Sequence, residues 1–323
     1  MKICVVGAGA IGGLLASGFA RSGHEVCVVA RGAHLDALRA NGLTLLSGDR
    51  REVFRLRASD DPSVLGVQDA VFICLKTYSI AAMLPRLKAL VGRDSVVVPA
   101  INGLPWWYFY AEGGRFDGQP VACLDPAGTL FRTLDPRHIL GCVVHAAAQV
   151  PEPGVVRHTA GREFLIGEPD RSKSARAQRI VAAMNAAGFE AKLAADIRVE
   201  IWVKLTGNLS YNPVAALALA HMDDIHGNAG LLALIRTLIE ETMRVAEAYG
   251  VRVPMTVEQR IDIARKLAGA KISMHQDIEK RRPLEVDAII GAVVELARKA
   301  GVATPMTDAV HALIAERAKH LDR

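Results

Sequence analysis

A short β-branched run, Lys2-Ile-Cys-Val-Val6, passes directly into Gly7-Ala-Gly9-Ala-Ile-Gly12-Gly13, and that junction restricts the start of the chain to few folds. The run reads as a buried strand, and Leu14, Leu15, Gly18 and Phe19 carry a helical pattern after the tight turn. Ser22-Gly23-His24 stops this helix, and Glu25-Val-Cys-Val-Val29 reads as a second buried strand, so residues 2–29 make one βαβ unit. In a G-x-G-x-x-G placed there, Gly7 permits the turn, Gly9 lets backbone N–H groups approach a pyrophosphate, and Gly12 lets helix and strand pack closely. The helix N-terminus, with Ala10 and Ile11 in its first turn, then faces the anion.

The same stretch has a superficial second reading. Ile3 to Ala20 is 18 uncharged residues behind Lys2, the outline of a signal peptide or a membrane span. Five of them are glycines, at 7, 9, 12, 13 and 18, and the dinucleotide turn explains their spacing better. The expectation is a cytoplasmic protein with no membrane attachment.

The end of the second strand selects the cofactor. An NAD site places Asp or Glu about 20 residues after the glycines, to take the ribose hydroxyls. This chain offers Val28-Val29-Ala30-Arg31, and a cation there accommodates a 2′-phosphate, which favours NADPH over NADH. Arg31 taken alone also reads as a solvated loop charge. Asp36, on the following helix, is a poorer ribose ligand.

Further strands are expected near 42–46, 53–56, 70–75 and 95–99, giving a doubly wound α/β sheet. Lys76 and Asn102 fall just past the carboxyl ends of two of these strands, the edge where open sheets bind ligands. Strands are also expected at 121–123, 141–145, 154–157 and 163–167. After about Asp196 the texture becomes helical, so the domains divide as a Rossmann-type sheet domain over 1–196 and an all-helical domain over 197–323. Leu231, Leu234, Ile235, Leu238, Ile239 and Thr242 mark one amphipathic helix, with others over 256–268, 284–299 and 306–319.

Composition narrows the function. With 51% hydrophobic and 23% charged residues, the chain is an ordinary globular protein long enough for two domains. A net charge of +5 with no run of five Lys or Arg suits anionic small molecules and not nucleic acid. Five cysteines at 4, 27, 74, 123 and 142 form no CxxC and read as buried thiols. Ten histidines include no HExxH, so no metal site is expected, and no GxSxG suggests a serine nucleophile. His221 and His226 read as cap or surface residues.

The most informative stretch is Glu200-Ile-Trp-Val-Lys204-Leu-Thr-Gly-Asn208-Leu-Ser-Tyr-Asn212-Pro213. Lys204 and Asn208 share a helical face one turn apart, among apolar neighbours. A lysine beside Trp202, Val203 and Leu205 loses hydration unless paired or used, and such burial favours giving up its proton. A surface lysine with a capping asparagine fits the same residues. Asn212-Pro213 reads as an N-cap followed by Pro at the first helical position, so one helix is expected to end there and another to begin.

These motifs together resemble the ketopantoate reductase family: Lys204-x3-Asn208-x3-Asn212-Pro213, the N-terminal glycine turn with Arg31, Asn102-Gly103, and Ser273-Met-x-Gln-Asp277 with Glu285-Val-Asp287. The resemblance spans nearly the whole chain. It implies NADPH-dependent reduction of a 2-oxo acid to a 2-hydroxy acid by a Rossmann domain joined to a helical domain. It further implies Lys204 as general acid, Glu285 as the carboxylate orienting substrate, and Ser273 as the group binding the substrate carboxylate. Asn102, Asn208 and Asn212 would line the substrate pocket. Gly7, Gly9, Ala10, Ile11, Gly12, Arg31, Lys76 and Asn102 would contact cofactor. The resemblance allows a homodimer. Glu285, following Pro283, also fits a helix-start role, and Asp287 a structural one. The alternatives are a non-catalytic NADP(H)-sensing module and another NADP-dependent hydroxy-acid dehydrogenase.

Trp106-Trp107-Tyr108-Phe109-Tyr110 departs from that pattern, placing five aromatics in succession in a chain that is only 5% aromatic. Two roles fit, a substrate lid or wall and core or interface packing. As a wall it would suit a bulkier or more apolar 2-oxo acid, and as an exposed loop it would suit the sensing module.

Overall fold

The structure, a computed structural model, describes residues 1–267, 269 and 271–321. The chain forms two compact units. One holds 1–101, 109–120 and 128–197, and the other holds 102–108, 121–127 and 198–323, so two short pieces of the first half pack with the helical second half.

The first unit begins β1 (Lys2–Val6), α1 (Ala10–Arg21), β2 (Glu25–Val29), α2 (Gly32–Asn41), β3 (Leu43–Ser47), β4 (Arg50–Phe54), β5 (Arg57–Ser59) and β6 (Gln68–Ile73). It continues with α3 (Ile80–Leu87), β7 (Val91–Pro99), α4 (Thr129–Thr133), β8 (Gly141–Glu152), β9 (Val155–Gly167), α5 (Ala175–Ala186) and β10 (Glu190–Leu193). One sheet has the order β5-β2-β1-β6-β7 with every pair parallel, the Rossmann-type arrangement, and its strands reverse direction of progress at β1.

The strands expected near 42–46 and 53–56 do not join that sheet. They are β3 and β4, an antiparallel pair in a second, mixed sheet of order β10-β9-β3-β4, with β8 paired to β9. The segments at 154–157 and 163–167 are one strand, β9, because β8 pairs along its length. Val121-Ala-Cys123, expected as a strand, is a turn whose Ala122 and Cys123 N–H groups donate to the Glu295 carboxylate at 2.9 and 2.7 Å. With those donors taken by a side chain, the segment has no ladder to join.

Helix α1 packs against strands of both sheets, and Gly12 through Phe19 are all buried. A helix covered on two sides must be apolar around most of its circumference. That placement accounts for the uncharged stretch from Ile3 to Ala20. Ile3, Val5, Phe19, Phe72, Val98, Phe164 and Met184 belong to the same continuous core. Cys4, Cys27 and Cys142 are buried and Cys74 and Cys123 partly so, all as free thiols.

The second unit consists of helices α6 (Ile197–Ala218), α7 (Met222–Gly227), α8 (Ala229–Ala248), α9 (Val257–Arg265), α10 (Ser273–Glu279), α11 (Ala292–Ala300) and α12 (Pro305–Lys319). A π-helical turn over Asp287–Gly291 leads into α11, where the pattern over 284–299 suggested plain α-helix. The expected helix over 256–268 corresponds to α9, and residue 268 lies outside the described residues. Among the described residues no helix is long and apolar enough to cross a membrane.

The predicted break at Asn212-Pro213 is absent. Helix α6 runs through both residues to Ala218. Pro213 deprives the Leu209 carbonyl of its helical donor, but Leu209, Tyr211, Val214, Ala215 and Ala216 are all buried, and packing on both sides of the proline outweighs one missing bond.

Candidate active site

In the first unit the glycine turn has the geometry a pyrophosphate needs. Gly7 adopts φ +93°, a conformation that L side chains rarely take, and a Cβ on it would lie 2.8 Å from both the Cys74 carbonyl oxygen and the Leu75 side chain. A Cβ on Gly12 would overlap the Gly7 carbonyl oxygen, so helix and turn can approach this closely only without it. Around Gly9 the opposite holds, with open space where a Cβ would stand. Gly9 is the N-cap of α1, and the N–H groups of Ala10, Ile11 and Gly12 have no carbonyl one helical turn earlier to accept them. Open space in front of oriented donors and a helix N-terminus suits a bound diphosphate.

His34 stabilises this turn, a contact no sequence pattern signals. Its Nδ1 accepts from the Gly154 N–H at 3.1 Å, which leaves Nε2 protonated to donate to the Ala8 carbonyl at 2.6 Å. Arg31 is exposed at the N-cap position of α2, directly after β2. Lys76 is partly buried three residues past the end of β6, at the start of a single 3-10 turn. Both therefore stand at carboxyl ends of strands flanking the point where the sheet reverses.

In the second unit, α6 presents Lys204, Asn208 and Asn212 at successive i, i+4 positions on one uninterrupted face. The continuous helix thus keeps Asn212 on the stripe, buried, where a helix break would have made it a cap. Lys204 Nζ donates to Asn102 Oδ1 at 2.8 Å. The loop carrying Asn102 is fixed by its neighbours. Leu104 N–H donates to the Ala288 carbonyl at 2.7 Å, and Gly103, at φ +77°, leaves no room for a Cβ against the same carbonyl.

Ala288 lies three residues after Glu285, so these contacts bring the Asn102 loop to the chain segment that bears that carboxylate. Glu285 is buried just before the helical turn starting at Val286, and its carbonyl accepts from Ile289 N–H. Its helix-start position and its burial are both real. Ser273 is exposed at the first residue of α10, and Asp277 on the same helix is buried. Among the described residues no group of three or more His, Cys, Asp or Glu could hold a metal ion.

The aromatic run is core. Trp106, Trp107, Tyr108 and Phe109 are each at most 2% exposed. In the second unit Trp202 Nε1 donates to the Tyr108 hydroxyl at 2.7 Å, and Arg198, fully buried, donates from Nε to the Tyr108 carbonyl at 2.9 Å. In the first unit Phe109 packs on Phe116 and Tyr110 on Phe131. An exposed aromatic loop, the ground for the sensing alternative, is not present. His221 caps α7 in a capping box, whereas His226 is partly buried with both ring nitrogens unpartnered.

Residues 3–171 match the family model for ketopantoate reductase PanE/ApbA, and residues 196–318 match the model for its C-terminal domain. A 2-dehydropantoate 2-reductase of Mesorhizobium japonicum is 42% identical over 97% of this chain and 97% of that one. One of Halobacterium salinarum is 32% identical over 95% of each chain. A candidate ketopantoate reductase from Ralstonia solanacearum MolK2 has a crystal structure that superposes with TM-score 0.94 at 35% identity, covering 99% of this chain and 98% of that one. The glycine turn, the Lys204 stripe and these likenesses agree along the full length, and the chain belongs to the PanE/ApbA ketopantoate reductase family of oxidoreductases.

Proposed function

We propose that the protein reduces 2-dehydropantoate, or a related branched or bulkier 2-oxo acid, to the corresponding 2-hydroxy acid with NADPH. The observation that carries this reading is the Lys204–Asn102 hydrogen bond on a helix face that also bears Asn208 and Asn212. The glycine turn, the α1 N-terminus and Lys76 would hold the cofactor, with Arg31 at its 2′-phosphate. When bound, NADPH supplies the hydride.

Lys204 would supply an ammonium to the ketone oxygen, and its hydrogen bond to Asn102 supports that reading. Donation from Nζ polarises the carbonyl, and transfer of that proton neutralises the alkoxide as it develops. Asn102 fixes the direction of the ammonium, so little reorganisation is needed when charge appears on the oxygen. Asn208 and Asn212 add amide donors along the stripe. Glu285 orients the substrate hydroxyl or ketone, and Ser273 takes the carboxylate. The substrate is a small molecule, and the protein would act in the cytoplasm.

A panel of 2-oxo acids offered to the purified protein, followed at the NADPH absorbance, tests the reading. Branched 2-oxo acids should be reduced, 2-dehydropantoate among them, and NADH should serve less well. Cofactor binding with no turnover across the panel would remove the reductase assignment.

A further inference from the structure

Before its last turn a regular α-helix has no carbonyl to spare, because each accepts from the N–H four residues on. The helix that follows Glu285 departs from this rule at one place. Ile289 N–H donates to the Glu285 carbonyl at α-helical spacing, whereas Ala292 N–H donates to the Asp287 carbonyl, five residues back. The wider spacing covers Asp287–Gly291, and α-helical spacing resumes in α11 from Ala292. A helix that returns from the wider spacing to the narrower one passes over one carbonyl. Asp287 is taken by Ala292 and Ile289 stands four residues before Val293, so the carbonyl passed over is that of Ala288.

Ala288 is fully buried, where a carbonyl without a donor is costly. Its donor comes from outside the helix, the N–H of the equally buried Leu104, at 2.7 Å. Gly103 makes the approach possible. It holds φ +77°, and a Cβ on it would stand 2.2 Å from the Ala288 oxygen and 2.5 Å from the carbonyl carbon. The residue before it is Asn102, whose Oδ1 accepts from Lys204 Nζ at 2.8 Å. All of these residues belong to the second unit. If residues 286–300 were plain α-helix, Val293 would take the Ala288 carbonyl, and Leu104 N–H would be a buried donor with its acceptor already used.

We propose that the π turn at Asp287–Gly291 is a positioning element for the reductase, because the Ala288 carbonyl that it frees holds Leu104 and so sets Asn102 against the Lys204 ammonium. This rests on the reductase reading above. Ala288 and Gly103 act through Asn102 and need no contact with the substrate. The turn also follows directly on Glu285, so one extra residue in the helix serves the segment of that carboxylate and the amide that aims the lysine.

The test uses full chains of wild type, Gly103→Ala and a deletion of Gly291, each also combined with Asn102→Ala. Gly103→Ala drives a methyl into the Ala288 carbonyl. Deleting Gly291 removes the extra residue without removing a side chain, and it places Val293 four positions after Ala288, where its N–H reclaims the carbonyl. Each change should lower kcat for a branched 2-oxo acid roughly 10-fold, with the dissociation constant for NADPH unchanged. In the Asn102→Ala background neither should lower kcat further, whereas an effect independent of Asn102 would multiply with it. If the deletion does not fold, Gly103→Ala decides the matter.

Heteronuclear NMR of the ¹⁵N-labelled, NADP⁺-loaded protein reads the same contact without turnover. The Asn102 side-chain amide signal, identified by its loss in Asn102→Ala, should move in Lys204→Met and also in Gly103→Ala and the deletion. Turnover by wild type, with kcat and the amide signal unchanged in both variants, overturns the proposal. A loss of kcat that persists in full in the Asn102→Ala background overturns it as well. An amide signal that responds as expected in a protein that reduces no 2-oxo acid would instead place the failure in the reductase reading.

Discussion

The Lys204 ammonium donates to the Asn102 side-chain oxygen across 2.8 Å, joining the middle of α6 to a loop that is itself fixed at Ala288. An ammonium aimed by a fixed amide keeps its direction before substrate arrives, which is what a proton donor to a ketone requires.

Lys204→Ala should therefore lower kcat by roughly 10²–10⁴-fold. The dissociation constant for NADPH, read by fluorescence titration, should change little, because the glycine turn belongs to the other unit. Asn102→Ala should give a smaller loss of kcat. Undiminished turnover in Lys204→Ala would remove the lysine from the mechanism.

Gly12→Ala and His34→Ala probe the cofactor turn in two ways. The first puts a methyl into the Gly7 carbonyl oxygen, and the turn must open to admit it. Both NADPH affinity and thermal stability should fall. The second removes the bridge from Ala8 to Gly154 without filling any space. It should weaken NADPH binding roughly 5- to 10-fold, the worth of about one hydrogen bond, with kcat at saturating NADPH nearly retained.

The parts of this molecule that were legible in advance are those fixed by local chemistry. A G-x-G-x-x-G between two β-branched runs leaves few ways to fold, and the turn it predicts is there: Gly7 has φ +93°, space stands open at Gly9, and Gly12 packs against the Gly7 carbonyl. The spacing of Lys204, Asn208 and Asn212 likewise places them on one face of any helix. What escaped the sequence depends on distant partners. The pairing of Leu45 in β3 with Val156 in β9 joins segments far apart in the chain, and nothing local specifies it. Pro213 signals a helix start by local rules, and buried neighbours on both sides override it. Five consecutive aromatics are equally consistent with a lid and a core until their neighbours are known.

Tyr108→Phe tests whether the aromatic run acts as structure. The substitution keeps the ring, which meets Trp202 edge-on at 6.2 Å, and removes the acceptor of the Trp202 Nε1–H. An orphaned buried donor costs about 1–3 kcal/mol. The midpoint of denaturant unfolding should fall accordingly, with KM for the 2-oxo acid unchanged. A selective change in KM with no loss of stability would return the segment to the substrate wall.

Glu295 ties the turn at 121–127 to α11, and its protonation should be visible in stability. Burial raises its pKa, but the Lys299 ammonium and the Cys123 and Ala122 N–H groups outweigh burial and hold the carboxyl below its ordinary 4.5. A group whose folded-state pKa is depressed contributes stability that is full above the unfolded value and is lost as pH falls through the folded one. Glu295→Gln should thus be less stable than wild type by about 1–2 kcal/mol at neutral pH. The gap should begin to narrow as the pH falls below about 4.5 and should close once the pH has passed the lower folded-state value, where wild type also loses the charge. Chemical denaturation of both proteins across that range measures it. A gap that stays constant into acid would mean that the shape of the carboxylate, and not its charge, anchors the turn.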